Sequence, residues 1–189
     1  MNRLNNVHFG EGAGARGRSL AVFLAAASLL LLLGPAVAKA QTTQMNPYFS
    51  SLKADRVNVR KGPGSEYDIL WIYRSLGLPV EVTASHEHWR RVRDSAGNEG
   101  WVYFRLLSHL RMALVSPWEK QKRGAKQKII VPLRKAKSTD SATVANLEPG
   151  VKLLIKSCDG SACLVSLEGF KGWIAQTRLW GVYPGEIIK

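Results

Sequence analysis

Four short blocks of this sequence occur twice, in the same order, and that repetition constrains the fold more than any other feature. VNVRKGPGSEYDIL (Val57 to Leu70) aligns with VPLRKAKSTDSATV (Val131 to Val144). Gly77-Leu78-Pro79-Val80 aligns with Glu148-Pro149-Gly150-Val151, WRRV (Trp89 to Val92) with ACLV (Ala162 to Val165), and EGWVYFRLLS (Glu99 to Ser108) with KGWIAQTRLW (Lys171 to Trp180). Ordered blocks of this kind mark a duplicated structural unit. The unit spans about 55–60 residues, a size at which one core is only marginally stable. Two copies packed together are the expected remedy.

Within each copy the pattern is β. Val57-Asn58-Val59 alternates, Ile69 to Tyr73 is rich in β-branched and aromatic residues, and Gly77-Leu78-Pro79 turns into Val80-Glu81-Val82. Trp89 to Arg93 reads as a further strand, DSAGNEG as a turn, and Trp101-Val102 as the closing strand. Short strands at regular spacing with turn signals between them fit a small barrel or sandwich. The Gly-Pro-Gly turn is not a phosphate loop, which needs a lysine-serine or lysine-threonine end and a following helix. Between the copies, Met112 to Val115 is expected as a strand finishing or bridging the first unit, with Trp118 as an anchor. Glu119 to Lys128, with five basic residues and one acid, reads as a mobile, solvated loop.

Residues 1–40 have the layout of a secretory signal peptide. Arg3, Arg16 and Arg18 form a positive region, Leu20 to Leu33 is apolar apart from Ser28, and Ala38-Lys39-Ala40 precedes Gln41. The apolar run is short for a membrane span, and Pro35 breaks its continuation. The expected location is therefore periplasmic or secreted after cleavage near Ala40, with membrane attachment only through an uncleaved leader. Four of the 27 basic and one of the 14 acidic residues lie in the leader, so the remainder carries 23 basic against 13 acidic residues, a formal charge of +10. Such a balance favours anionic partners. For an exported chain these are envelope components rather than nucleic acid. The two cysteines, Cys158 and Cys163, flank the turn-forming Asp-Gly-Ser-Ala and are expected to form a disulfide clipping a hairpin.

The sequence offers no catalytic constellation, and no cofactor is expected. His86 and His88 stand at period two, but two ligands are too few for a metal site. The aromatic residues divide into two groups. Trp101 and Trp173 recur after a glycine and read as core. Trp89 lies three positions from Val92, on the opposite strand face, with Arg91 and Arg93 beside it. Its counterpart is Ala162. Tyr67, Trp71 and Tyr73 likewise have no aromatic counterparts in the second copy. The expected ligand groove is therefore in the first copy, lined by Tyr67, Trp71, Tyr73 and Trp89. Arg91 and Arg93 would serve as donors to carboxylates, and the second copy would brace the first. Arg90 shares the face of Val92 and is left out.

The ordered blocks resemble the bacterial SH3-like domain, whose pattern is an opening LNVRSGPS-type strand and loop, a G-x-x-V, a W-x-x-V strand and a closing G-W-V. The first copy matches at Val57, Val59, Arg60, Gly62, Pro63, Ser65, Tyr67, Val80, Trp89, Val92, Gly100 and Trp101. The wording of the first copy, with LWGVYPGE (Leu179 to Glu186) closing the second, is similar to exported tandem SH3-like proteins common in alphaproteobacteria. The resemblance implies an all-β chain of two tandem SH3-like small β-barrels. It places the lead-in at 41–50, the barrels at 51–110 and 129–189, and a strand and basic linker at 111–128. It also implies a non-catalytic module that binds peptidoglycan, as cell-wall peptide or glycan. Two other readings stand beside it. One is a protein–protein adaptor that takes a partner peptide or strand. The other is salt-dependent polyanion binding through Lys120 to Lys128.

Overall fold

The structure is a computed structural model that describes residues 45–120 and 128–189. The expected signal peptide, and residues 121–127 of the expected basic loop, lie outside the described residues.

The described chain is all-β and forms two sheets of matching design. The first contains β1 (Tyr48–Leu52), β2 (Val57–Arg60), β3 (Ile69–Tyr73), β4 (Pro79–His86), β5 (Trp89–Arg93), β6 (Glu99–Tyr103) and β7 (Leu107–Ser108). Their spatial order is β3-β2-β6-β5-β4-β1-β7. The second contains β8 (Met112–Val115), β9 (Val131–Arg134), β10 (Thr143–Leu147), β11 (Lys152–Asp159), β12 (Ala162–Leu167), β13 (Phe170–Ala175) and β14 (Leu179–Trp180), with β15 (Ile187–Ile188) added to β11. Its order, β10-β9-β13-β12-β11-β8-β14, repeats the first strand for strand.

That correspondence corrects one expectation. Met112–Val115 does not finish or bridge the first unit. It pairs with β11 and β14 and opens the second sheet, as Tyr48–Leu52 opens the first. The serine-containing YFSSL has little strand signal of its own. It is held by cross-strand pairing with β4 and by Ser50 and Ser51, whose hydroxyls donate to the Ser108 and Leu110 carbonyls.

Each sheet curls around its own core. Val57, Val59, Val80, Val82, Val92 and Val102 come from four different strands, yet all are fully buried in one cluster with Leu52. Leu133, Leu153, Val165, Ile174 and Leu179 do the same in the second copy. The alternation within each strand sets which side points in. Gly100 and Val102 are buried, and so are Gly172 and Ile174. Trp101 and Trp173 therefore face outward and are only half-buried, which corrects the expectation that they form the core. The glycine of each Gly-Trp pair is the packing residue. A Cβ on Gly100 would lie 2.4 Å from Val59 Cγ1, and one on Gly172 would lie 2.6 Å from Leu133 Cγ.

The turns follow their residues. In DSAGNEG the Asp94 carboxylate accepts from the Ala96 and Asn98 amides, and Gly97 takes φ +86°. The β4–β5 hairpin turns at Glu87 and His88, with His86 opposite Trp89. The two histidines therefore stand on either side of a bend and not on one strand face. Cys158 and Cys163 are bonded and lie directly opposite each other in the β11–β12 register, as expected for a clipped hairpin. In the chain-entropy picture, closing so short a loop contributes about 2 kcal/mol. Replacing both cysteines with serine should lower stability by at least that amount in chemical denaturation, because the new hydroxyls also enter buried positions.

The two barrels touch through specific side chains. The Phe49 ring lies 5.2 Å from that of Trp180, edge-on, and 4.8 Å from that of Tyr183. Tyr183 Oη donates to the buried Glu81 carboxylate at 2.8 Å. Lys152 Nζ donates to the Leu76 carbonyl at 2.6 Å. Tyr183 reaches Glu81 because the closing LWGVYPGE segment is pinned. The Glu186 carboxylate accepts from Arg111 and from the Tyr183 amide, and Gln176 Nε2 donates to the Tyr183 carbonyl.

Candidate functional site

The β5–β6 register places Trp89 opposite Tyr103, Arg91 opposite Trp101 and Arg93 opposite Glu99, all on the outer face of the first barrel. Val92, at the opposite parity, is fully buried, so Trp89, Arg91 and Arg93 share the outward side as their spacing predicts. Trp89 and Tyr103 meet edge-on with ring centres 5.7 Å apart. The contact continues: Tyr103 lies 5.3 Å from Phe104, and Phe104 stacks on His88 at 5.5 Å. The Arg90 and Arg105 guanidinium carbons stand 5.8 and 5.9 Å from the centre of the Phe104 ring. Four rings and two guanidinium groups thus form one continuous strip across the end of the β4–β5 hairpin.

The strip is built locally. The tight turn at Glu87-His88, with Glu87 at φ +46°, turns His88 toward the three-residue 3-10 turn Phe104–Leu106. The backbone bond from the Phe104 amide to the His88 carbonyl, 2.9 Å, fixes that approach. Arg90 shares the parity of Val92 but sits at the end of the barrel. Its Nη1 donates to the Glu87 and Trp89 carbonyls, and its head emerges over Phe104.

The six expected groove residues are not gathered into one groove. Trp71 lies opposite Val59 and Tyr73 opposite Val57, so both point to the core side of the sheet, where they pack on the buried valines. They meet edge-on at 5.9 Å, and Tyr73 Oη donates to Asp94 at 3.0 Å. Burial, reinforced by the Asp94 charge, pushes that phenol well above its ordinary range and keeps it a donor. Tyr67 is 42% exposed and lies over Gly62, where a Cβ would meet its ring at 2.4 Å. Trp89 and Arg91 are on the outer face, with Arg91 paired to Glu99. Arg93 is already engaged in two bonds to Glu81, of which the Nε contact is 2.8 Å. A ligand carboxylate would have to share the guanidinium with that buried partner.

The strip also contains residues that sequence reasoning left out: His88, Arg90, Tyr103, Phe104 and Arg105. Counting back from the DSAGNEG turn would have paired Trp89 with Tyr103. The Phe104–His88 stack depends on the 3-10 turn and had no signal in the sequence. Chemically, the strip offers flat apolar faces and cations, which suit stacking and charge pairing. Both cysteines are bonded, and no group of three or more His, Cys, Asp or Glu that could hold a metal occurs among the described residues.

A family model for the bacterial SH3 domain matches residues 53–109 and again 127–181. The chain belongs to the bacterial SH3 domain family. No curated protein matches it. Among solved structures it is similar to NlpC1 from Trichomonas vaginalis, at 13% identity and a TM-score of 0.31, covering 74% of this chain and 48% of that one. NlpC2 from the same organism matches at 11% identity and a TM-score of 0.30, covering 71% and 48%. An NlpC/P60 family protein from Bacillus cereus matches at 13% identity and a TM-score of 0.29, covering 70% and 55%. The chain thus spans about half the length of these structures.

Within the two bacterial SH3 domains, the repeated arginine of the opening block has a structural task. Arg60 Nη1 donates to the Tyr67 carbonyl at 2.5 Å, and Arg134 Nη1 to the Ser141 carbonyl at 2.8 Å. Each arginine closes the loop that follows it and stands opposite the outward tryptophan, Trp101 or Trp173. The aromatic strip, by contrast, belongs to the first SH3 domain alone. In the second, Ala162 pairs with Ala175 where the first has Trp89 and Tyr103.

Proposed function

We propose that this is an exported, non-catalytic binding protein that recognises cell-wall peptide or glycan through the aromatic and arginine strip of its first SH3 domain. The observation that carries the reading is the comparison of the two domains. The second folds to the same strand order with alanines at the positions of Trp89 and Tyr103. The rings are therefore not needed to build the fold, and half-exposed rings beside arginine are a common feature of recognition surfaces. Bacterial SH3 domains are usually binding modules, and the leader-like residues 1–40 and the charge of +10 on the remainder agree with an anionic envelope ligand.

The test is co-sedimentation with purified sacculi. Trp89→Ala combined with Tyr103→Ala should weaken binding at least about fivefold, the loss of two stacking contacts of about 0.5–1.5 kcal/mol each. Binding should survive at high salt better than a purely ionic contact through Lys120 to Lys128 would. Unchanged sedimentation of the double variant would refute the assignment.

A protein-adaptor reading has one specific observation behind it. β3 is an edge strand of its sheet, and Ile69 and Leu70 on it are about half exposed. An open apolar edge can accept a partner strand. Capture of a protein partner that Leu70→Lys abolishes, with no sacculus binding, would favour that reading.

A further inference from the structure

The second domain contains an open cleft of about 530 Å³ at the place where the first domain has its rings. Ala162 and Ala175 form part of its lining, in the same cross-strand pairing that brings Trp89 and Tyr103 together in the first copy. Two further positions differ in the same direction. Lys137 stands where the first copy has Pro63, and Arg178 where it has Leu106. Both line the cleft, together with Arg134 and Trp173, and no aspartate or glutamate lines it. Of these four differences from the first copy, two remove bulk and two add positive charge, all at one spot.

The cations are held in place. Lys137 Nζ lies 4.5 Å from the centre of the Trp173 ring and is paired with Asp159. Arg178 is oriented by Glu119 at 2.8 Å, and Arg134 by the Ser141 carbonyl. An ammonium has three donors and a guanidinium five, so these anchors leave bonding capacity for a ligand. A site whose groups are already ordered loses less entropy on binding. The volume lies within the usual range for small-ligand pockets and suits a sugar or a dipeptide.

We infer that the second SH3 domain holds a separate binding site for a small anionic ligand, a carboxylate or a phosphate monoester. The anionic group lies among Lys137, Arg134 and Arg178, and the carbon body lies along Trp173 and the Ala162–Ala175 floor. This site is independent of the strip on the first domain and goes beyond the function proposed for it.

The experiment is a titration of the isotope-labelled protein followed at the indole N–H signals, with N-acetyl-alanyl-alanine, glucuronate and glucose 6-phosphate as probes. The dipeptide amide and glucose are the neutral controls. At least one anionic probe should give saturable shifts at Trp173, at least tenfold tighter than its neutral control. Lys137→Gln, which alters a half-exposed side chain, should weaken that binding at least fivefold. Ala162→Trp, which restores the ring of the first copy, should weaken it at least tenfold. Trp89→Ala with Tyr103→Ala should leave it unchanged, which separates this site from the sacculus-binding strip. Preference among the peptide carboxylate, sugar carboxylate and phosphate then identifies the source of the anion. The proposal is overturned if no anionic probe saturates, if neutral controls bind equally well, or if Lys137→Gln binds as the parent does. Lys137→Gln decides the matter alone should Ala162→Trp fail to fold.

Discussion

Alanine at Gly172 is expected to destabilise the protein by about 3 kcal/mol, the upper end of the usual cost of overpacking a core. The added Cβ would lie 2.6 Å from Leu133 Cγ and 2.8 Å from the Arg134 carbonyl oxygen. Leu133 is fully buried, and the carbonyl belongs to the neighbouring strand. Gly100→Ala meets the same obstacle, with Val59 Cγ1 at 2.4 Å and the Arg60 carbonyl at 3.1 Å. Val59 is fully buried as well. Chemical denaturation should show the loss for each variant, and thermal midpoints should fall by about 10 °C for a chain of this size. A change below about 0.5 kcal/mol, the size of an ordinary surface substitution, would mean that the strands do not approach so closely. Trp101→Ala and Trp173→Ala should cost less than the glycine changes, since both rings lie outside the core.

Removing the Glu81 carboxylate is expected to loosen the junction between the two barrels. Glu81 is buried, and it accepts from Arg93 and, across the junction, from Tyr183. Burial, helped by the bond to Glu81, pushes the Tyr183 phenol above its ordinary range, so it stays protonated and remains the donor. Breaking a fully buried ion pair costs about 3–5 kcal/mol. The Arg93 side chain is 43% exposed, so water takes up part of its charge and the expected cost of Glu81→Ala falls to about 2 kcal/mol. Tyr183→Phe should cost about 1 kcal/mol, the net value of one hydrogen bond. In a double-mutant cycle the two losses should be non-additive by about 0.5–1 kcal/mol, since they share one bond. Glu81→Ala should also separate the denaturation transitions of the two barrels. Strictly additive losses would show that the carboxylate stabilises only its own barrel.

Much of the fold was legible because it rests on short-range signals. The four repeated blocks, the valine alternation and the turn residues all act within a few positions, and the two sheets follow them. The same parity rule put Trp89, Arg91 and Arg93 on the outer face. Applied to Gly100-Trp101-Val102, it would have placed Trp101 there too. Recurrence of an aromatic residue was a weaker guide than alternation, because here the recurring packing residue is the glycine. The site was only partly legible. Tyr67, Trp71 and Tyr73 were joined to Trp89 by aromatic content alone, whereas pairing with β2 turns Trp71 and Tyr73 toward the core.

By itself, the sequence determined the duplication, the main strand segments of each copy, the Cys158–Cys163 clip and the family, because each is encoded by short patterns of neighbouring residues. Only the tertiary structure decided that Tyr48–Leu52 and Met112–Val115 open their respective sheets. It likewise decided that Tyr183 reaches Glu81 across 102 positions, and that His88 and Phe104 extend the ring pair into a strip. It also revealed that one position is filled by rings in the first barrel and left as a cationic cleft in the second. These features depend on contacts between distant segments, whose register and approach are set by how whole surfaces pack. No local pattern carries that information.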